Sequence, residues 1–202
     1  MARNSRPILP TFPLPAHLSL IDACREAINQ LYEDVIAFHE DALAEDGGAP
    51  GFRDRDALAA AVARPFTFVG GRFAFGDGLL QATILLKSLA QYHAFTDGNK
   101  RTALTACLYF LAQCGYWPHA LLVTRGDLAR LETFVEWLSN ERKDIEAGAS
   151  PHLYDPDVLA RRLHTILAPT RLRRPRLARL LSREFHVIWV RHGREHGPEE
   201  IE

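Results

Sequence analysis

Within one short segment, residues 93–103, the chain combines the side chains that phosphate chemistry needs: HAFTDGNKRTA. The imidazole of His93, with an ordinary pKa of about 6.5, can accept a proton from a hydroxyl group at neutral pH. Asp97 supplies a carboxylate of the kind that binds Mg²⁺ between phosphate oxygens. Lys100 and Arg101 add two adjacent cations. A base, a metal-binding carboxylate and an anion site together indicate transfer of a phosphoryl or nucleotidyl group.

This motif segment lies between two predicted helices, and its position creates the anion site. One helix runs from Gly78 to about His93 and is apolar on most sides, which predicts a place at the centre of a bundle. The other begins near Asn99, so its unpaired N–H groups and positive dipole end face the segment. Gly98 permits a tight turn there. The side chain of Asn99 either donates to the anion or holds the loop through its backbone.

Helical periodicity predicts four further helices. They begin after Ser19, after Asp54, near Asp127 and at Asp155–Pro156. Residues 66–75 carry four phenylalanines around Gly70–Gly71, a pattern typical of a β-hairpin. The predicted fold class is mostly α, a helical bundle with one small hairpin.

Composition excludes several function classes. Of the 202 residues, 47% are apolar and 24% are charged, and the net charge is -1, so no global charge drives binding to nucleic acid or membrane. The three cysteines, Cys24, Cys107 and Cys114, have no CxxC spacing, which argues against disulfides and zinc. No apolar run approaches the roughly 20 residues of a membrane-spanning helix. We therefore expect a cytoplasmic protein without a membrane partner.

The motif segment closely resembles the signature of the Fic/Doc family in its Doc form. The Fic pattern is H-x-F-x-[DE]-G-N-G-R-x-x-R, and Doc-type members have lysine in place of the second glycine, as Lys100 is here. Gly51-Phe52-Arg53-Asp54, with Leu58 and the Ala-Arg-Pro at 63–65, resembles the same branch. The resemblance covers residues 20–145. It implies a Fic/Doc helical bundle in which the hairpin, residues 66–75, is a flap beside the active segment.

The resemblance also implies a role for each candidate site residue. His93 would be the general base on the target hydroxyl, and Asp97 would bind Mg²⁺. The residues expected to hold the phosphates of the co-substrate ATP are Gly98, Asn99, Lys100 and Arg101. The flap residues expected to align a target segment by strand addition are Phe66, Thr67, Phe68 and Val69.

Doc-type members are toxins that transfer the terminal phosphate of ATP to translation elongation factor Tu, and we expect this function. The alternatives are Fic-type transfer of AMP or another NMP to a protein hydroxyl, and a catalytically silent binding module. Lys100 in place of glycine, and Leu104 in place of the pattern's last arginine, both favour phosphate transfer. The sequence has no self-inhibitory [ST]-x-x-x-E-[GN] segment, so we expect a separate antitoxin protein.

Charge and proline content divide the chain into three parts. We predict a proline-rich arm over residues 1–18, the catalytic domain over 19–150, and a helical, basic C-terminal extension over 151–202. From Arg161 to Arg183 there are eight arginines and no acid. This stretch could dock on the acidic remainder of the chain, bind an antitoxin or bind nucleic acid. Its few aromatic residues argue against nucleic acid.

Overall fold

The computed structural model describes residues 20–70, 72–114, 116–118, 125–167 and 169–171. Its helices are α1 Leu20–Asp46, α2 Arg55–Ala63, α3 Gly78–Tyr92, α4 Asn99–Gln113, α5 Arg125–Ser139, α6 Glu141–Glu146 and α7 Pro156–Leu167. Its strands are β1 Phe68–Val69, β2 Arg72–Phe73, β3 Tyr116–Pro118 and β4 Pro169–Arg171. Single turns of 3₁₀ helix lie at Arg64–Phe66 and Pro151–Tyr154. The prediction of a mostly helical bundle with a small hairpin is confirmed.

Helix α3 occupies the centre of the bundle, as its apolar sequence predicts. It packs against α2, α4, α5 and α7, and its buried side chains include Leu85, Leu86 and Leu89. Asp77 caps its N-terminus, because the carboxylate accepts a hydrogen bond of 2.8 Å from the backbone N–H of Leu80. The most extensive helix contact joins α3 to α4. The motif segment that connects them is therefore anchored at both ends in the core.

The hairpin forms where the phenylalanine pattern predicts it. Strands β1 and β2 are antiparallel, with Phe68 opposite Phe73 and Val69 opposite Arg72. Gly70 turns the chain with a φ of +59°, a conformation that favours glycine. The ring of Phe73 is buried, so the hairpin is fixed to the bundle through β2.

A second pair of strands has no counterpart among the sequence predictions. Strand β3 follows α4 and pairs antiparallel with β4, which follows α7, so that Tyr116 lies opposite Arg171. Helix α7 contributes Leu159, Leu163 and Leu167 to the same core as α3. The three-part division of the chain stays a prediction. Its N-terminal arm and the basic stretch beyond residue 171 lie outside the described residues.

The two cysteines of the α4 region are core thiols. Cys107 and Cys114 are buried and free, and burial raises the pKa of both thiols. Across the described parts of the chain, none of the helices combines the length and hydropathy needed to cross a bilayer.

Candidate active site

His93 ends α3 in a left-handed backbone conformation, with φ +48° and ψ +47°. Within the described residues it is the one non-glycine residue with a positive φ. Such a conformation costs about 1–3 kcal/mol and is typical of functional sites. Burial lowers the pKa of the half-buried imidazole, and the charges of Arg53, Lys100 and Lys143 lower it further. The ring is therefore neutral at neutral pH, which is the form that accepts a proton.

Backbone pairing with the Gly51–Asp54 stretch holds the first half of the motif segment. Thr96 donates to the carbonyl of Gly51 at 3.0 Å, and Arg53 donates to the carbonyl of Ala94 at 2.8 Å. An isolated antiparallel β-bridge also joins the two stretches at Phe52 and Phe95. This pairing brings the charge of Arg53 close to His93.

Asn99 closes the second half of the segment. Its side-chain oxygen accepts a hydrogen bond of 2.9 Å from the N–H of Phe95, and its amide nitrogen donates to the carbonyl of Phe95 at 2.8 Å. Of the two roles considered for Asn99, this geometry is the loop-holding one. The ring of Phe95 is buried and anchors the loop in the core.

Gly98 forms the turn into α4 with a φ of +71°. A Cβ atom at this position would lie 3.3 Å from Cε1 and Nδ1 of His39, so the close approach also favours glycine. Within the described part of the chain, no side chain caps the N-terminus of α4. The N–H groups of its first turn therefore face the motif segment and provide an anion site.

The carboxylate of Asp97 lies at this helix terminus with 52% of its side chain exposed. The backbone N–H of Gly98 donates to it at 2.6 Å. This bond lowers the pKa of Asp97, as do the N–H of Ala49 and the charge of Arg101. The described residues contain no group of three or more side chains that could hold a metal alone. One ionised, accessible carboxylate suits Mg²⁺ that takes its other ligands from phosphate and water.

The two cations that follow Asn99 both have protein partners. Nζ of Lys100 forms an ion pair with Glu136 of α5. Arg101 donates to the carbonyls of Ala42 and Gly47, each at 3.1 Å, at the end of α1. Lys100 therefore pairs with one exposed carboxylate, whereas the hydrogen bonds of Arg101 connect α4 to the end of α1.

The four predicted flap residues fall into two groups. Phe66 is buried with its ring edge-on to Phe110 at a centroid distance of 5.9 Å, and Thr67 donates to the carbonyl of Arg64 at 2.7 Å. These two residues fix the base of the hairpin. Phe68 and Val69 of β1 are 48% and 62% exposed and present apolar side chains to solvent.

Comparison with known proteins identifies the family. The model of the Fic/DOC family matches residues 27–111, from α1 to α4. The Toxin Doc of Mycolicibacterium smegmatis is 49% identical over 104 residues, which are 52% of this chain and 77% of that toxin. The chain belongs to the Fic/Doc family. The Protein kinase doc of Escherichia phage P1 is 36% identical over 87 residues, 41% of this chain and 65%, just under two thirds, of that protein. No solved structure matches the chain.

Lys100 and both relatives indicate a Doc-like member of the Fic/Doc family. Leu104, which occupies the position of the last arginine in the Fic pattern, is buried in the core between the helices. Its side chain is apolar and 6% exposed, so this position contributes no phosphate ligand.

Three residues beside the motif segment have no role that the sequence predicts. His39 lies four residues after Val35 on the buried stripe of α1, a spacing that could have marked it as a polar residue in the core. Arg53 belongs to the stretch that resembles the Doc branch, although its charge was given no role there. Glu136 reaches Lys100 from 36 residues away, and no local pattern signals such a contact.

Proposed function

We propose that this Fic/Doc chain is a Doc-type toxin, an enzyme that transfers the terminal phosphate of ATP to a hydroxyl group of a target protein. The observation that carries the proposal is the position of His93 at the end of α3, where burial and three nearby cations lower the pKa of its imidazole. The names of the two relatives, Toxin Doc and Protein kinase doc, support the same conclusion. By the family resemblance the proposed target is elongation factor Tu, in the cytoplasm.

His93 acts as the general base in this proposal. The target hydroxyl oxygen forms a bond to the γ-phosphorus of ATP, the bond from that phosphorus to the bridging oxygen breaks, and ADP leaves. The hydroxyl proton passes to the neutral ring of His93. The low pKa of the imidazole keeps the ring free to receive this proton at neutral pH.

The anion site binds the phosphates in this proposal. The N–H groups of the first turn of α4 point at phosphate oxygens. The N–H of Gly98 joins them on exchanging Asp97 for phosphate, and Lys100 adds its charge on exchanging Glu136 for phosphate. Asn99 and Arg101 contribute by fixing the segment to Phe95 and to α1, in addition to any bond they make to phosphate. Asp97 would hold Mg²⁺, which when bound neutralises charge on the phosphates.

The flap aligns the target in this proposal. Phe68 and Val69 are exposed on a two-residue strand that pairs with β2 alone among the described strands. A target segment could therefore add to the free edge of β1 through backbone hydrogen bonds and cover these two side chains.

Transfer of AMP is the second candidate activity. It is disfavoured because Lys100 stands where the Fic pattern has glycine and because Leu104 is buried and apolar. A silent binding module is disfavoured because base, carboxylate and anion site all lie in one segment. A separate antitoxin remains part of the proposal, and the arginine-rich stretch is a candidate contact for it.

The target assignment is tested with purified elongation factor Tu. The factor is incubated with the protein, Mg²⁺ and ATP, and its intact mass is measured beside a His93→Ala control. We expect a mass increase of one phosphoryl group that requires His93. An increase of one adenylyl group would support the second candidate, and an unchanged mass would exclude this factor as the target.

A further inference from the structure

The turn over residues 95–98, called the motif turn below, lies against His39 of α1 at both of its ends. The residue is 4% exposed, and its ring is stacked on Phe95 with centroids 3.8 Å apart and planes inclined by 14°. A Cβ atom on Gly98 would lie 3.3 Å from Cε1 and Nδ1 of the ring. Nδ1 lies 3.3 Å from the hydroxyl of Thr102, and Nε2 is buried with no hydrogen-bond partner among the described residues.

The hydrogen bonds around Thr102 indicate which ring nitrogen of His39 carries the proton. The hydroxyl of Thr102 donates its one hydrogen to the carbonyl of Gly98 at 3.0 Å. Its contact with Nδ1 is then a hydrogen bond only when Nδ1 is the donor. With the proton on Nε2, a buried N–H would have no acceptor, which is costly. Both contacts are satisfied by the Nδ1–H tautomer.

The ring is neutral in these surroundings. Burial lowers the pKa of His39, and Arg101 of α4 lowers it further, against the opposing charges of Glu40 and Asp97. A neutral ring with Nδ1–H leaves Nε2 as an unprotonated acceptor, and an unpaired acceptor is tolerated better than an unpaired donor.

We propose that His39 is a positioning residue of the motif turn: its Nδ1–H holds the hydroxyl of Thr102, and that hydroxyl holds the carbonyl of Gly98. The same carbonyl also accepts the N–H of Thr102 at 3.0 Å. These bonds fix the left-handed turn from which the N–H groups of α4 point at phosphate. The role in phosphate binding rests on the proposed function, whereas the tautomer and the bond do not.

The tautomer is measured directly on the wild-type chain by long-range ¹⁵N–¹H correlation NMR. The ring signals of His39 are assigned through their proximity to Phe95. We expect the pattern of a neutral imidazole protonated at Nδ1 at neutral pH. A ring protonated at Nε2 would overturn the proposal, whatever the activity of the protein.

Two substitutions separate positioning from packing. His39→Asn keeps an N–H donor close to the position of Nδ1 but loses the ring, whereas His39→Phe keeps a ring to stack on Phe95 but has no donor. For a positioning role, affinity for Mg-ATP falls roughly tenfold in His39→Phe and is largely kept in His39→Asn. For a packing role the order of the two variants is reversed, and that order would overturn the proposal.

Thr102→Val completes a double-mutant cycle with His39→Phe. Because both changes break the same chain of bonds, we expect the double variant to lose no more affinity than either single variant. Additive losses would refute the chain. If the wild type binds no ATP, the proposed function fails. The positioning role is then tested by the hydrogen exchange of the Thr102 amide, which should be slower in His39→Asn than in His39→Phe.

Discussion

The side chain of Asn99 is bonded to both backbone polar groups of Phe95, at 2.9 and 2.8 Å, so one amide closes the turn between α3 and α4. Asn99→Asp keeps the size of the side chain but turns an oxygen towards the carbonyl of Phe95. We expect a loss of about 1–3 kcal/mol in the free energy of unfolding and a larger loss of transfer activity. Urea unfolding and transfer of label from ATP measure the two effects.

Asn29→Asp on the exposed face of α1 is the matched control for the added charge. It should leave both quantities close to those of the wild type. Equal effects of the two substitutions would contradict the closing role of Asn99.

Gly98 and Gly70 both have positive φ, but they differ in the space around them. A Cβ on Gly98 would press on the ring of His39, whereas a Cβ on Gly70 would meet no atom within 4 Å. Gly70→Ala should destabilise the fold by about 1–2 kcal/mol through backbone strain alone. Gly98→Ala should cost about 1–3 kcal/mol more because of crowding. Equal unfolding free energies for the two variants would show that His39 yields without cost.

In the proposed function, Glu136 would compete with phosphate for Lys100, with which it forms an ion pair. The hydrogen bond from Lys100 lowers the pKa of Glu136, so the carboxylate is ionised at neutral pH. Glu136→Gln should free the ammonium group and tighten Mg-ATP binding by up to about fivefold, the range of a surface ion pair. Calorimetric titration measures the affinity. Glu132→Gln, one turn earlier on α5, removes the same charge away from this contact, and an equal gain there would point to net charge instead.

The low pKa of His93 predicts the pH dependence of transfer. The base is needed in its neutral form, so the rate should be constant at neutral pH and fall on acidification through a pKa below about 6.5. A pH–rate profile with saturating Mg-ATP measures this. A rate that falls with a midpoint above neutral pH would contradict His93 as the base.

Stability should follow pH in the same direction. His39 and His93 have lower pKa values in the folded state than in the unfolded state, so the unfolded chain binds protons first on acidification. The free energy of unfolding should therefore fall as pH drops below about 6.5. His39→Asn should flatten this slope, whereas His164→Asn, which replaces an exposed residue of α7, should leave it unchanged.

The parts of the fold that local patterns determine are predictable from the sequence. The helix after Asp54 is one example, since the carboxylate caps it by accepting the N–H of Ala57 at 2.9 Å. The turn at Gly98 is another, because its φ requires glycine. The pairing of β3 with β4 was missed, because each strand has three residues and the two lie about fifty residues apart in the sequence.

The site divides in the same way. His93, Asp97 and Lys100 lie within eight consecutive residues and were predicted from one motif. Their surroundings come from distant elements, such as Arg53 from the stretch before α2 and Glu136 from α5. These contacts depend on how the helices pack, and a single sequence carries no local signal of that packing.

Phosphate transfer by His93 is tested most directly by tracing which phosphate of ATP reaches a protein. A cell extract is incubated with the purified chain, Mg²⁺ and ATP labelled at either the α- or the γ-phosphate, beside a His93→Ala control. We expect label on a protein from the γ-phosphate only, and none with the control. Label from the α-phosphate, or label that persists without His93, would contradict phosphate transfer with His93 as the base.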